Sequence, residues 1–279
     1  MTEGTSSRPG TTPLTERSSR VVVARKLTRR AGREKAGAFL VEGAQAVGEA
    51  LAAHGTGALR VRELFHTGAD RQAEFAAAAR SGGVPVHQVT ERAAASLSET
   101  VTPQGLVAVC DLPATSVADA LAARPRLVAV LVGISDPGNA GTVVRVSDAA
   151  GAGAVLFAGD AVDAYGGKAV RASTGSLFHL PIARDRSAGA VLDACRDAGL
   201  RLVGADGRAP ADLDAAADDG SLARPTAWVF GSEAHGLPEE VASRLDTTLR
   251  VPLHGRAESL NLATAAAVCL YASARAQRR

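Results

Sequence analysis

Apolar residues in this chain come in short runs divided by polar, Gly- and Pro-containing stretches, and the period of those runs predicts the elements. Residues 1–20 carry almost no apolar side chains and are rich in Ser, Thr, Gly, Pro and Arg, which predicts a disordered tail. Residues 39–53, FLVEGAQAVGEALAA, then place Ala44, Val47, Ala50 and Leu51 at helical spacing. Val61–His66 reads as a strand, 69–81 as a helix ended by Gly82-Gly83, and 84–89 and 106–110 as further short strands. These form a small α/β unit over 21–111. Pro113, Thr115, Ser116 and Pro125 mark 112–125 as a linker.

The pattern changes at Leu127–Val132, LVAVLV, a run of the kind found in strands buried on both faces. Strand-like runs recur at 154–158, 200–204, 227–230 and 248–251. Helical stretches fall between them near 141–150, 188–198, 239–244 and 260–277. Strands alternating with helices predict an α/β domain over 126–279, with a parallel sheet covered on both faces. No repeat of solenoid period occurs.

Composition narrows the class. A chain of 279 residues makes one or two domains, and 46% apolar with 22% charged residues excludes a wholly disordered or collagen-like protein. No apolar run approaches the roughly 18 residues of a membrane span, and no signal peptide is expected. Cys110, Cys195 and Cys269 lie far apart without metal-ligand spacing, so no metal is expected, and scattered thiols fit a reducing cytoplasm. Aromatics are scarce, 3% with one Trp, which weakens any stacking platform for single-stranded nucleic acid. The core must rest on Val, Leu, Ile and above all Ala, and a homodimer would add burial to such a core. The net charge of +2 conceals an asymmetry: residues 1–35 carry nine basic and three acidic side chains, net +6, while the other 244 residues are net −4. A basic arm containing Arg25, Lys26, Arg29, Arg30, Arg33 and Lys35 is expected to meet RNA phosphates. The excess of Arg over Lys elsewhere reads as codon bias.

Ligands of open α/β sheets bind at the carboxyl ends of strands. Three such ends here carry polar, Gly-containing loops. After 127–132 comes Gly133-Ile-Ser-Asp-Pro137-Gly138-Asn139-Ala-Gly141-Thr-Val-Val-Arg145. Asn139 is placed to cap the following helix, and Arg145, among valines, must either reach solvent or find an anion. After 227–230 come Gly231-Ser232-Glu233-Ala234-His235-Gly236, where paired glycines allow close backbone approach to a ligand or simply make a turn. After 248–251 comes Pro252-Leu253-His254-Gly255-Arg256-Ala257-Glu258-Ser259-Leu260-Asn261; Ser259 here is an alternative helix cap. Neither a GxGxxG nor a P-loop pattern is present, which argues against nicotinamide and nucleotide-triphosphate chemistry. Three convergent polar loops on one sheet are what an active site requires.

Together these residues resemble the three signature motifs of the SpoU (TrmH-like) RNA 2′-O-ribose methyltransferases of the SPOUT superfamily. The motifs match as Asn139 to Arg145, as Gly231-Ser232-Glu233 with Gly236-Leu237, and as Val251-Pro252-Leu253 followed by Ser259-Leu260-Asn261. Lys168-Ala-Val-Arg171-Ala-Ser173-Thr-Gly175 is similar as well. Residues 33–43, with Thr102-Pro103-Gln104-Gly105, resemble the family's N-terminal substrate-binding domain. The resemblance implies a trefoil knot in the C-terminal domain, a homodimer, and S-adenosylmethionine bound through Gly231, Val251, Leu253 and Leu260. It also implies an RNA substrate, most often 23S ribosomal RNA, modified in some members to give antibiotic resistance; transfer RNA and a non-catalytic ribosome-assembly role are the alternatives. Arg145 is the family's implicated residue. Because free Arg is a poor base, it is expected to bind a substrate phosphate, with Asn139, Glu233, Ser259 and Asn261 fixing it and the ribose.

Overall fold

The computed structural model describes residues 12–278. Contacts divide the chain after Leu112 into two compact units.

The N-terminal unit is built on a four-stranded sheet in the order β1-β4-β2-β3, with β1 Ala38–Glu42, β2 Val61–His66, β3 Val86–Gln88 and β4 Leu106–Asp111. β4 pairs antiparallel with both β1 and β2, and β2 pairs parallel with β3. Residues 39–42, expected at the head of a helix, are strand instead. Gly43, at φ +96°, then turns the chain into the Ala44–Gly55 helix. Only Gly adopts that backbone cheaply, so it separates two elements that the apolar spacing runs together.

The expected tail also differs from what is observed. Residues 1–11 of it lie outside the described residues. Further on, Leu14 donates its N–H to Gln88 O at 2.8 Å and accepts from Thr90 N at 2.9 Å, and a helix begins at Ser19. Val21, Ala24 and Leu27 of this first segment pack with Phe65, Leu97 and Val107. The basic stretch is therefore two short helices of a packed unit, Ser19–Arg25 and Arg30–Ala36, and not an arm.

The C-terminal unit holds a seven-stranded sheet, parallel throughout, in the order β7-β6-β5-β10-β8-β11-β9. Its strands are β5 Leu127–Val132, β6 Ala154–Ala158, β7 Ile182–Asp185, β8 Arg201–Ala205, β9 Ala211–Asp212, β10 Thr226–Phe230 and β11 Thr247–Arg250. β5, β6 and β10 are buried along their whole length, as continuous apolar runs require. Val128, Val130, Leu156, Leu192, Leu202 and Val229 centre one core layer. The other face is covered by the Pro137–Ala150 and Leu262–Gln277 helices, which pack on each other. Trp228, fully buried, donates its indole N–H to Ser273 Oγ at 2.9 Å and so pins the last helix to the sheet. All three cysteines are free and buried, and burial pushes the Cys195 and Cys269 thiols up to about 12, which leaves them unreactive. Among the described residues no helix is long and apolar enough to cross a membrane.

Candidate active site

β10 lies beside β5, and β8 alone separates it from β11, so the three motif loops leave neighbouring strand ends. In the first loop, Asp136 Oδ1 accepts the Asn139 backbone N–H at 2.7 Å. Asp136 is therefore the cap of the Pro137–Ala150 helix, and Pro137 takes the first helical position, where its missing N–H costs nothing. This corrects the expectation for Asn139, whose side chain is left for other contacts. Asp136 also pairs with Lys168 Nζ at 2.6 Å; that ammonium first, and the Asn139 N–H second, hold its carboxyl below the usual range. Lys168 belongs to the Gly167–Ser173 helix, whose contact with the Pro137–Ala150 helix is so close that a Cβ on Gly141 would lie 2.2 Å from Ala169 O.

The third loop ends at Asn261, which caps the Leu262–Gln277 helix by accepting from Ala263 N and Thr264 N at 2.9 and 3.3 Å. Ser259, the alternative cap, lies on the rim of the cavity described below instead. The free amide end of Asn261 donates to Asn139 Oδ1 at 3.0 Å, and Asn139 Nδ2 donates to Glu233 Oε1 at 2.8 Å. One hydrogen-bonded chain thus joins all three loops. Ser135 approaches the other Glu233 oxygen at 3.5 Å. Burial pushes the Glu233 carboxyl up, but the Asn139 amide and nearby backbone N–H groups outweigh it, and the net shift is downward. Glu233 is therefore an ionised acceptor near neutral pH and not a proton donor.

The second loop is drawn tight by a bridge in which Ser232 and Gly236 exchange backbone hydrogen bonds at 3.0 and 2.9 Å. A Cβ on Gly231 would stand 2.2 Å from the Gly236 carbonyl, so this position tolerates only glycine. His235 is exposed on the turn and lies outside the cavity lining.

Between the loops lies a cavity of about 430 Å³, lined by Gly231, Val251, Leu253 and Leu260 with Phe230, Glu233, Ser259 and Asn261. Its size, its apolar walls and its polar side chains, with Asp206, Glu233 and Glu258 as carboxylates, suit a small-molecule cofactor with an apolar part and a polar part. Asp206 and Gly207, at the end of β8, also line it. Their strand end carries no family motif, so no motif singles them out, although the strand-end rule applies to β8 equally.

Arg145 stands apart from this chain of bonds. It is exposed on the Pro137–Ala150 helix, and its Nη1 donates to Thr174 Oγ1 at 3.4 Å. Thr174 holds a left-handed backbone, φ +51°, which is costly for a β-branched residue.

In the N-terminal unit, Arg25, Lys26, Arg29 and Lys35 line a cleft of about 760 Å³ beside Ser96 and Ser98. Arg30 is held by Glu34 at 2.8 Å. Arg33 is a correction to the expected RNA-binding set: it is 5% exposed, and its Nη1 donates to Leu27 O and Thr28 O at 2.9 and 3.0 Å. Gln104 of the second family-like stretch accepts at Oε1 from the N–H of Ala44, the residue after the first stretch, at 3.1 Å.

Comparison with known proteins agrees with this architecture. Residues 126–271 match the SpoU rRNA Methylase family, and residues 19–108 match the MRM3-like substrate binding domain. A Bacillus subtilis protein, 23S rRNA (guanosine(2553)-2′-O)-methyltransferase RlmP, is 32% identical over 88% of this chain and 92% of its own length. The Streptomyces viridochromogenes SpoU methyltransferase AviRb, solved in complex with AdoMet, superposes with a TM-score of 0.78 at 33% identity, covering 94% of this chain and 98% of that one. An AdoMet-bound rRNA methyltransferase from Sinorhizobium meliloti gives a TM-score of 0.80 at 29% identity, over 95% and 97%. With its motif loops on one parallel sheet and both units matched, the chain belongs to the SpoU family of rRNA methylases, S-adenosylmethionine-dependent ribose 2′-O-methyltransferases.

Proposed function

We propose that this chain methylates a ribose 2′-hydroxyl of 23S ribosomal RNA, with the cofactor in the cavity beneath the three loops. The observation that carries the reading is the Asn261–Asn139–Glu233 chain, which joins the motif loops at the cavity's edge. The ribosomal substrate is favoured by the full-length likeness to the Bacillus subtilis 23S enzyme and by the matched substrate-binding unit.

Bound S-adenosylmethionine supplies a methyl group on a sulfonium, already a good leaving group. The chain's task is to place a weak nucleophile in line with that methyl and to ease loss of its proton. Asn139, held at both ends of its amide, fixes the floor of the ribose site. Glu233, ionised, holds the Asn139 donor and adds negative charge to the cavity lining, which would favour a sulfonium bound there. Arg145, exposed, binds the substrate phosphate and positions the hydroxyl. The proton leaves through that phosphate. The N-terminal unit grips RNA phosphates through Arg25, Lys26, Arg29 and Lys35, with Arg30 at the margin.

Two properties of the family, and a location read from the scattered thiols, extend this reading. The C-terminal segment threads a trefoil knot. The protein is a homodimer, with the exposed Val268 and Tyr271 of the last helix, 39% and 52% accessible, as candidates for the covered face. It works in the cytoplasm, where ribosomal RNA is met and buried thiols stay reduced.

Mapping 2′-O-methyl marks on ribosomal and transfer RNA, with and without the protein, tests the substrate. One new mark on 23S RNA is expected, lost in Arg145→Ala while folding and cofactor binding persist. A mark confined to transfer RNA, or methylation by Arg145→Ala at the wild-type rate, would refute the assignment.

A further inference from the structure

β8 lies between the two strands whose loops enclose the cavity, and the sheet register fixes where its end falls. Ala205 is the partner of Phe230 on one side and of Leu249 on the other. The next residue, Asp206, therefore lies level with Gly231 on β10's side and Arg250 on β11's side, in the middle of the cavity wall. Its backbone N–H donates to Leu249 O at 3.1 Å, which ties it to β11. Its side chain is 33% exposed. Oδ1 accepts the Arg208 backbone N–H at 2.9 Å and faces Arg208 Nε at 3.5 Å. Both contacts fall on one oxygen, so among the described residues Oδ2 has no partner.

The Asn261–Asn139–Glu233 chain joins the three motif loops at the cavity's edge, and Asp206 stands in the wall between the loops of β10 and β11. The apolar walls near Asp206 are Leu249 and Leu237, the latter close enough to the β8 backbone that a Cβ on Gly204 would lie 3.0 Å from it. Apolar walls suit the adenine plane, and the ribose lies between adenine and sulfonium. A carboxylate accepts well from two vicinal hydroxyls. The Arg208 contact offsets the charge of Asp206, which fits it for a neutral diol better than for an ammonium.

We propose that Asp206 is a specificity-determining residue that holds the ribose 2′- and 3′-hydroxyls of S-adenosylmethionine through its free carboxylate oxygen. This rests on the cavity being the cofactor site. The Asp206 contact is a side-chain contact and can be altered without disturbing the motif loops. Asp206→Asn retains the Oδ1 acceptor for Arg208 N and the side-chain shape, so the turn persists.

The test is calorimetric titration of the full-length protein with S-adenosylmethionine, with 5′-methylthioadenosine, and with the 2′,3′-dideoxy analogue of the latter. Asp206→Asn is expected to weaken the first two by about ten-fold each. It should leave the dideoxy analogue unchanged, because the hydroxyls it contacts are already gone. A loss on S-adenosylmethionine alone would assign Asp206 to the amino-acid tail and overturn the proposal, as would an equal loss on the dideoxy analogue or no loss at all. Leu253→Arg, at an exposed position on the cavity mouth, checks the premise separately. If it binds S-adenosylmethionine like wild type, the cavity is not the cofactor site. If it abolishes binding while Asp206→Asn does not, only the Asp206 inference falls.

Discussion

Asn139 uses a single amide to bond residues that lie 94 and 122 positions away in sequence. Asn139→Ala cuts both bonds and leaves the Glu233 charge without its amide donor, with only Ser135 and backbone N–H groups nearby. We expect kcat to fall by about ten- to a hundred-fold, the worth of a charge-assisted hydrogen bond, with little change in Tm because the site is exposed. Steady-state kinetics beside a melting curve checks both halves. The same variant should raise the Glu233 pKa towards the ordinary glutamate range, since the largest lowering contact is gone; carbon-13 NMR titration reads this directly. The sign for stability follows. A carboxyl whose pKa is lowered by folding stabilises above its unfolded pKa, and that contribution disappears as pH falls through the folded value. Thr174→Gly relieves a left-handed threonine yet removes the partner of Arg145. Unchanged or higher Tm with slower methyl transfer is the expected pair of results. Asn139, Glu233 and Asn261 were legible in the sequence as polar residues at strand ends. Their bonding order was not, because strand order, not sequence distance, makes them neighbours. That Asp136 and not Asn139 caps the helix was legible in principle, since an acid directly before a proline that opens a helix is itself a capping signal.

At the scale of elements, the tightest fit is between the Pro137–Ala150 and Gly167–Ser173 helices. Gly141→Ala would place its methyl 2.2 Å from Ala169 O and 2.7 Å from the Ala172 Cβ. Overpacking of this kind costs about 1–3 kcal/mol, so Tm should fall by several degrees, and the shift of Asp136 and Lys168 should slow catalysis as well. Thermal unfolding of the variant tests this. The central strands were readable because burial on both faces demands an unbroken apolar run. β7 was not: its four residues, IARD, end in two charges, as suits an edge strand paired on one side. β1 was hidden for a different reason. Its apolar residues run directly into those of the next helix, and only the backbone of Gly43 divides them.

For the whole molecule, the division of charge now has a location. Arg25, Lys26, Arg29 and Lys35 line one cleft, whereas Arg33 is spent on two backbone carbonyls inside its own unit. Neutralising Arg25, Lys26 and Arg29 together should weaken RNA binding at every sequence and flatten the log–log salt dependence by about 2 to 3, near one unit per lost phosphate contact. Arg33→Ala should leave that slope alone and lower Tm instead, by the several degrees that about 1–3 kcal/mol of orphaned carbonyls implies. Filter binding over a salt series separates the two. The lone tryptophan has a consequence of its own. Trp228 stacks on Phe230 with ring centroids 6.2 Å apart, and Phe230 is a wall of the cavity. The protein's tryptophan emission, excited beyond the tyrosine absorption band, therefore comes from a single indole, one ring removed from that wall, and the N-terminal unit has no tryptophan to dilute it. A change in that emission reports on the methylase unit alone, a built-in gauge of cavity filling that RNA gripping elsewhere leaves silent.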